Sequence, residues 1–142
     1  MDDAFWDSSA LVPLCIWQRA TPAAQALSER YSVTVWWSTR IEVRGAFARL
    51  VRMGQVTPNG LVQAQVTLDG LRDIWQEVDP SEPLREQAER FVDRFPLKAA
   101  DAQQLAAAVA WCGGRTKSRA FISGDSQLLE AAGQLGFQAI ET

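Results

Sequence analysis

The sequence predicts an α/β sandwich around a mostly parallel sheet, and three observations carry that expectation. Short runs of β-branched and aromatic residues alternate with longer stretches whose apolar residues recur at helical spacing. Capping residues, prolines and glycines punctuate the boundaries between them. The resulting order is strand, helices, strand, several helices, strand, helix, strand, the alternation of α/β folds. At 142 residues the chain is expected to form one domain, spanning 1–142, with one hydrophobic core and no stable sub-domains.

Ala4-Phe5-Trp6 is a short apolar run that delivers Asp7 at its C-terminal end, and a helical stretch from Leu11 to Gln18 follows. Thr21-Pro22 places a capping hydroxyl before a proline at the first helical position, which predicts a helix to about Arg30. SVTVWW (32–37) reads as the second strand. A long helix then runs from Ser38 to Arg52 and stops at Met53-Gly54, with Val43, Phe47, Leu50 and Val51 on its core face. Thr57-Pro58 opens another, whose stripe is Leu61, Ala64, Leu68, Leu71 and Trp75.

Residues 77–80 form a weak strand or connector, and Ser81 opens a helix through Phe91 that Pro96 stops. Lys98 to Cys112 is Ala-rich and helical, closed by Gly113-Gly114. RAFIS (119–123) is a strand, Asp125 to Leu135 a helix ended by Gly136, and Phe137 to Ile140 the last strand. Ligands of open parallel sheets bind beyond the C-terminal ends of the strands. Asp7 and Asp125 both follow strands directly, so their carboxylates are expected to meet.

Composition narrows the chemistry. The chain has no histidine, which removes the commonest general base, histidine-based nucleophilic triads and histidine-ligated zinc. Hydrolysis would therefore rest on carboxylates and a hard metal. A net charge of −3 argues against a broad basic nucleic-acid surface; were the substrate RNA, metal ions and a few arginines would have to carry the attraction. Cys15 and Cys112 sit apart in apolar contexts and read as buried thiols. No stretch reaches the roughly 20 apolar residues of a membrane span. The acidic N-terminus MDDAFWDSSA lacks a secretory signal, and a cytoplasmic location is expected.

Each acidic candidate has a structural reading beside its functional one. Asp7 and Asp125 are placed to cap the helices that follow them. Glu42 completes Thr39-Arg40-Ile41-Glu42, a capping-box pattern in which the glutamate reaches back to the Thr39 backbone. Asp101 resists such an explanation: steps of 100° per residue put it in register with Leu105, Ala108, Val109 and Cys112, where a charge is costly unless a cation or donor meets it. On the Glu42 helix, Arg49 lies in register with Glu42 across the small residues Gly45 and Ala46, a shallow face that a phosphate could approach. Arg40, Arg44 and Lys98 are further candidate phosphate contacts, or ordinary surface charges. Of the six tryptophans, Trp6, Trp36 and Trp111 read as core, and Trp17, Trp37 and Trp75 as candidates for an interface.

The runs FWDSSALV, STRIEVRGAFARL, LKAADAQQLAAAVAW and FISGDSQLLEAAGQLGF resemble, in order and spacing, the motifs of PIN-domain ribonucleases, most closely the VapC-type toxins of bacterial toxin–antitoxin pairs. The stretch from about Val56 to Pro96 matches only in being helical. The resemblance implies a three-layer α/β/α fold with a mostly parallel central sheet. Asp7, Glu42, Asp101 and Asp125 would then converge as catalytic and metal-binding carboxylates around Mg²⁺ or Mn²⁺, with Ser9 and Ser123 orienting them. It also implies endoribonuclease activity, a homodimer and a cognate antitoxin, whose tail could lie as a helix along Leu61, Leu68, Leu71 and Trp75, unless that stripe packs within the fold or forms the homodimer. The alternatives are a catalytically silent scaffold of the same fold and a housekeeping RNA-processing nuclease. A phosphatase or phospho-receiver domain also has an aspartate after its first strand, but the phosphatase needs a second aspartate where this chain has Ser9.

Overall fold

The sheet is assembled outward from its centre. In a computed structural model describing residues 1–142, five strands pair entirely in parallel: β1 (Asp2–Trp6), β2 (Tyr31–Trp36), β3 (Gln76–Val78), β4 (Ala120–Ser123) and β5 (Gln138–Glu141). Their spatial order is β3-β2-β1-β4-β5. The chain thus works outward from β1 in one direction, then returns to the other side of β1 for β4 and β5. Right-handed crossovers force that reversal to change the face on which the helices pack.

Helices α1 (Ser8–Cys15), α2 (Thr21–Arg30), α3 (Thr39–Arg52) and α4 (Pro58–Arg72) belong to the first direction; α5 (Glu82–Arg94), α6 (Ala99–Trp111) and α7 (Ser126–Gln134) follow β3 and β4. Two hydrophobic cores result where one was expected, because the sheet is covered by helices on both faces. One gathers Ala4, Trp6, Val33, Val35, Ala120 and Ile122 of the sheet with Leu11, Val43, Phe47 and Leu68 of the first helices. The other gathers Phe5, Trp36 and Phe121 with Leu84, Phe91, Leu105 and Leu128. Alternation along each strand separates the two sets, as the two-residue period of a strand requires. The layers are therefore α/β/α, as the resemblance implied, and no helix is long and apolar enough to cross a membrane.

Several local signals act as expected. Thr57 and Ser81 accept hydrogen bonds from the N–H of Gly60 and Leu84, capping α4 and α5. Gly54, Gly113, Gly114 and Gly136 hold positive φ just past helix ends, where a side chain is strained. Others are redirected. Helix α1 begins three residues earlier than its apolar spacing suggests, because Asp7 caps it. Thr21 is the first residue of α2 rather than its cap; its hydroxyl instead accepts from the Gln18 N–H and donates to the Pro13 carbonyl at 2.7 Å.

Two further expectations need correction. The α4 stripe is not free: Ala64 and Leu68 are buried and Leu61 and Leu71 pack beside them in the first core, so no antitoxin helix can lie along it. Trp75 is likewise buried, its indole N–H donating to Glu77 at 3.0 Å, and is no interface residue. Trp17 and Trp37 remain exposed, at 74% and 49%. Cys112 is buried; Cys15 is only partly so, although burial pushes its thiol up to about 12 and keeps it unreactive as a nucleophile.

Candidate functional site

The order of the strands reverses at β1, so the crevice between the C-terminal ends of β1 and β4 is the topological switch point. Asp7 leaves β1 there, and Ser123-Gly124-Asp125 leave β4. The Asp7 carboxylate is almost wholly buried, and its Oδ2 collects the neighbouring donors. The Ser9 hydroxyl donates to it, the Ser123 hydroxyl donates at 2.9 Å, and the Ser9 N–H approaches at 3.4 Å. The serines in turn accept from the β4–α7 turn: Ser9 Oγ from the Gly124 N–H at 2.9 Å, and Ser123 Oγ from the Asp125 N–H at 3.0 Å.

Each hydroxyl has one proton, and each proton is already committed to Asp7. The 3.3 Å approach of the two serine oxygens is therefore a matter of proximity and not a further bond. This arrangement stitches β1 to β4 and leaves Asp7 Oδ1 without a protein donor. A Cβ on Gly124 would stand 3.5 Å from Ser9 Oγ and 3.3 Å from Thr142 Oγ1, so the glycine keeps this corner open.

The remaining carboxylates come from three helices. Asp125 caps α7, accepting from the Leu128 N–H at 3.0 Å. Asp101 sits half-buried in the first turn of α6 with no hydrogen-bond partner in the protein. Glu42, in the first turn of α3, does not form the expected capping box. It accepts instead from the Ser38 hydroxyl at 2.8 Å and from Gln104 at 3.0 Å.

Gln104 is the residue that sequence reasoning missed. It is fully buried on α6, and its Nε2 lies 2.7 Å from Ser8 Oγ, 3.1 Å from Thr39 Oγ1 and 3.0 Å from Glu42 Oε2. One amide thereby ties α6 to α1 and α3. Its Oε1 is buried without a donor, a position that calls for water or a water held by an ion.

The electrostatics show that these groups share one field. Burial raises the Asp7 carboxyl above its usual range, although the Ser9 and Ser123 hydroxyls and nearby backbone N–H groups oppose the rise. Burial raises Glu42, opposed by the Ser38 hydroxyl and reinforced by the charge of Asp7 and, more weakly, of Asp101. Burial again leads for Asp101, followed by the charges of Asp7 and Asp125, and lifts it to about 6 despite Lys98. All four carboxylates thus converge at one end of the sheet.

They do not close on a point: no group of three or more carboxylates or thiols stands near enough to clasp an ion directly. Hard oxygen donors under mutual repulsion still suit Mg²⁺ or Mn²⁺, which keeps several waters and takes one or two carboxylates directly. The donor set and the orphaned Gln104 oxygen fit such a hydrated ion. Arg49 is exposed and lies about 10 Å farther along α3 than Glu42, at 1.5 Å of rise per residue, so the two do not form one compact site.

No protein-family model and no curated protein matches the sequence. Solved structures do match in shape. A protein of Pyrobaculum aerophilum superposes with a TM-score of 0.65 at 17% identity, over 99% of this chain and 89% of that one. A chain of a toxin–antitoxin complex from Klebsiella pneumoniae gives 0.64 at 18% identity, over 98% and 96%. A member of the VapBC toxin–antitoxin family from Mycobacterium tuberculosis gives 0.60 at 16% identity, with both chains covered fully. At such identities the likeness shows a shared fold, the one that the PIN-domain resemblance implied.

Proposed function

We propose that this chain is a metal-dependent endoribonuclease, acting as the toxin of a toxin–antitoxin pair. The observation that carries the reading is Asp7: a buried carboxylate at the switch point, one oxygen held by two serines and the other left open, in the field of Glu42, Asp101 and Asp125. Two of the structures that share the fold belong to toxin–antitoxin systems, which supports the biological half of the proposal.

Asp7 and Asp101 would hold the metal, with Asp125 and Glu42 reaching it through water. Ser9 and Ser123 fix the Asp7 oxygen that they hydrogen-bond, so the carboxylate keeps one orientation. Gln104 holds Glu42 against α6 and thereby sets the distance between the α3 and α6 carboxylates. A bound Mg²⁺ or Mn²⁺ would supply neutralising charge and lower the pKa of a coordinated water, chemistry that a chain without histidine otherwise lacks. A basic side chain of an antitoxin is the natural plug for the same carboxylates. With the α4 stripe buried, that partner must approach elsewhere.

The test is cleavage of RNA by the purified chain. Activity should vanish in chelator, return with Mg²⁺ or Mn²⁺, return poorly with Ca²⁺, and be lost in Asp7→Asn, Asp101→Asn and Asp125→Asn. Cleavage in chelator, or a wild-type rate in those variants, would overturn the proposed site. Inhibition by the product of an adjacent small gene tests the toxin assignment separately.

A further inference from the structure

The flank of α3 turned away from Glu42 carries a second feature. A cavity of about 370 Å³ is lined by Trp37, Arg40, Ile41, Arg44, Leu68 and Arg72. Three guanidinium groups and no carboxylate line it, in a chain whose net charge is −3. Arg40 and Arg44 are one turn apart and share a face of α3. Neither makes an ion pair, whereas Arg72 is tied to Asp69 at 3.4 Å. Asp69, Asp73 and Glu77 line the adjoining recess with Arg40 and Arg72, so the acids temper those two arginines and not Arg44.

Trp37 supplies a different kind of surface. Its side chain is half exposed, yet its backbone is anchored by a 3.1 Å bond from its N–H to the Val78 carbonyl. A flat ring beside forked cationic donors is the combination that holds single-stranded nucleic acid, the ring stacking on a base and the arginines gripping phosphate. Trp37 follows β2 and Arg40 lies in the first turn of α3, so the cavity opens at the same end of the sheet as the carboxylates. Glu42 points about 200° around α3 from Arg40. One helix, about 10–12 Å across with its side chains, separates the two sites.

We propose that this cavity is a subsite for the RNA strand, with Arg40 and Arg44 on phosphate and Trp37 stacked on an unpaired base a short distance from the bond to be cut. An acidic peptide would match the charges but offers no base for the tryptophan. The inference rests on the ribonuclease reading, and its test separates the two. The full chain carrying Asp101→Asn is titrated with a labelled single-stranded RNA oligomer at several salt concentrations, alone and combined with Trp37→Ala, Arg40→Ala/Arg44→Ala, or Lys117→Ala as a control before β4.

The arginine pair should weaken binding at least tenfold and reduce the salt slope by about 1.4, at roughly 0.7 for each phosphate that is no longer neutralised. Trp37→Ala should weaken it roughly tenfold with the slope unchanged, and Lys117→Ala should change nothing. An unchanged thermal midpoint shows that each variant is folded. The subsite is overturned if the RNA does not bind, if the Trp37 and arginine variants bind as the parent does, or if poly-glutamate displaces RNA as well as RNA of equal charge. If these residues bind RNA but the wild-type chain cuts none with any metal, the nuclease reading fails and the subsite stands. If the chain cuts RNA and the variants neither lose affinity nor slow, the subsite fails and the nuclease stands.

Discussion

Asp101→Asn should make the protein more stable in chelator, and only above a definite pH. The native carboxyl sits at about 6 against 3.8 for the ordinary group, so the folded state resists its ionisation. Two units at 1.36 kcal/mol each amount to roughly 3 kcal/mol at face value. Asp101 is only half-buried, so solvent screening removes much of that. Its place in the first turn of α6 returns about 0.3–1 kcal/mol through the helix dipole. About 1 kcal/mol of destabilisation remains, and no hydrogen bond is lost with the charge.

The sign follows from proton binding. Between pH 4 and 6 the native state holds the proton more tightly than the unfolded chain, so this group's contribution to stability falls as pH rises through that window. The penalty is complete above about pH 6 and absent below about pH 4. Urea denaturation of wild type and variant at pH 4 and pH 8 should therefore show a gain of about 1 kcal/mol at pH 8, roughly 3 °C in Tm for a chain of this size, and none at pH 4. A variant less stable than wild type at pH 8, or an equal gain at both pH values, would refute the reasoning.

Ser123→Ala removes a donor to Asp7 and an acceptor from Asp125; it should cost about 1–2 kcal/mol and raise the Asp7 pKa further, read by carboxyl-carbon NMR titration. Gln104→Ala strips Glu42, Ser8 and Thr39 of a shared buried donor and should cost about 2–3 kcal/mol in urea melts, where a surface glutamine would cost under about 0.5 kcal/mol. Leu68→Ala should lose about 2–5 kcal/mol by the same measurement, since the side chain is 1% exposed; a negligible loss would restore the α4 stripe as a free face. Gly136→Ala should lose at least about 1 kcal/mol, because φ there is 100° and the new Cβ would stand 3.0 Å from Thr116 Oγ1.

What was legible in the sequence was local. The β-branched and aromatic content of residues 32–37, the hydroxyls of Thr57 and Ser81, and the glycines after α3, α6 and α7 act within a few residues, and the structure follows them, with the strand set one residue earlier. What failed depended on distant partners. Glu42 turns from the Thr39 backbone toward Ser38 and Gln104 because α6 brings a buried amide across the site. Thr21 gives its hydroxyl to Pro13 because α1 lies against it. The α4 stripe with Trp75 could equally be a docking face or a core face by its spacing, and only the assembly of the first core decides for the second.

The position of Asp101 was legible because a charge interrupts an apolar face. Gln104 escaped notice because a glutamine in the Ala-rich run AADAQQLAAAVAW looks like helix filler. A signal was present: it follows Asp101 by three residues, a spacing that keeps both on one side of the helix. The arginine cavity shows the same limit. Arg40 and Arg44 are neighbours by spacing, but nothing in the linear order places Arg72 beside them.

The bond between Asp7 and Ser123 joins residues 116 apart, and the β1–β4 pairing beside it spans the same length of chain. At synthesis rates of about 5–20 residues per second, roughly 6–23 s separate the making of its two halves. Through that interval β1 has only β2 to pair with, and the carboxylate of Asp7 faces solvent without its second serine. The seam is thus a timer: a chain interrupted before β4 owns three of the five strands and none of the closed crevice. Such a fragment exposes the unpaired edge of a strand that was built to be central, an invitation to other strands, and the completed chain removes it in one step.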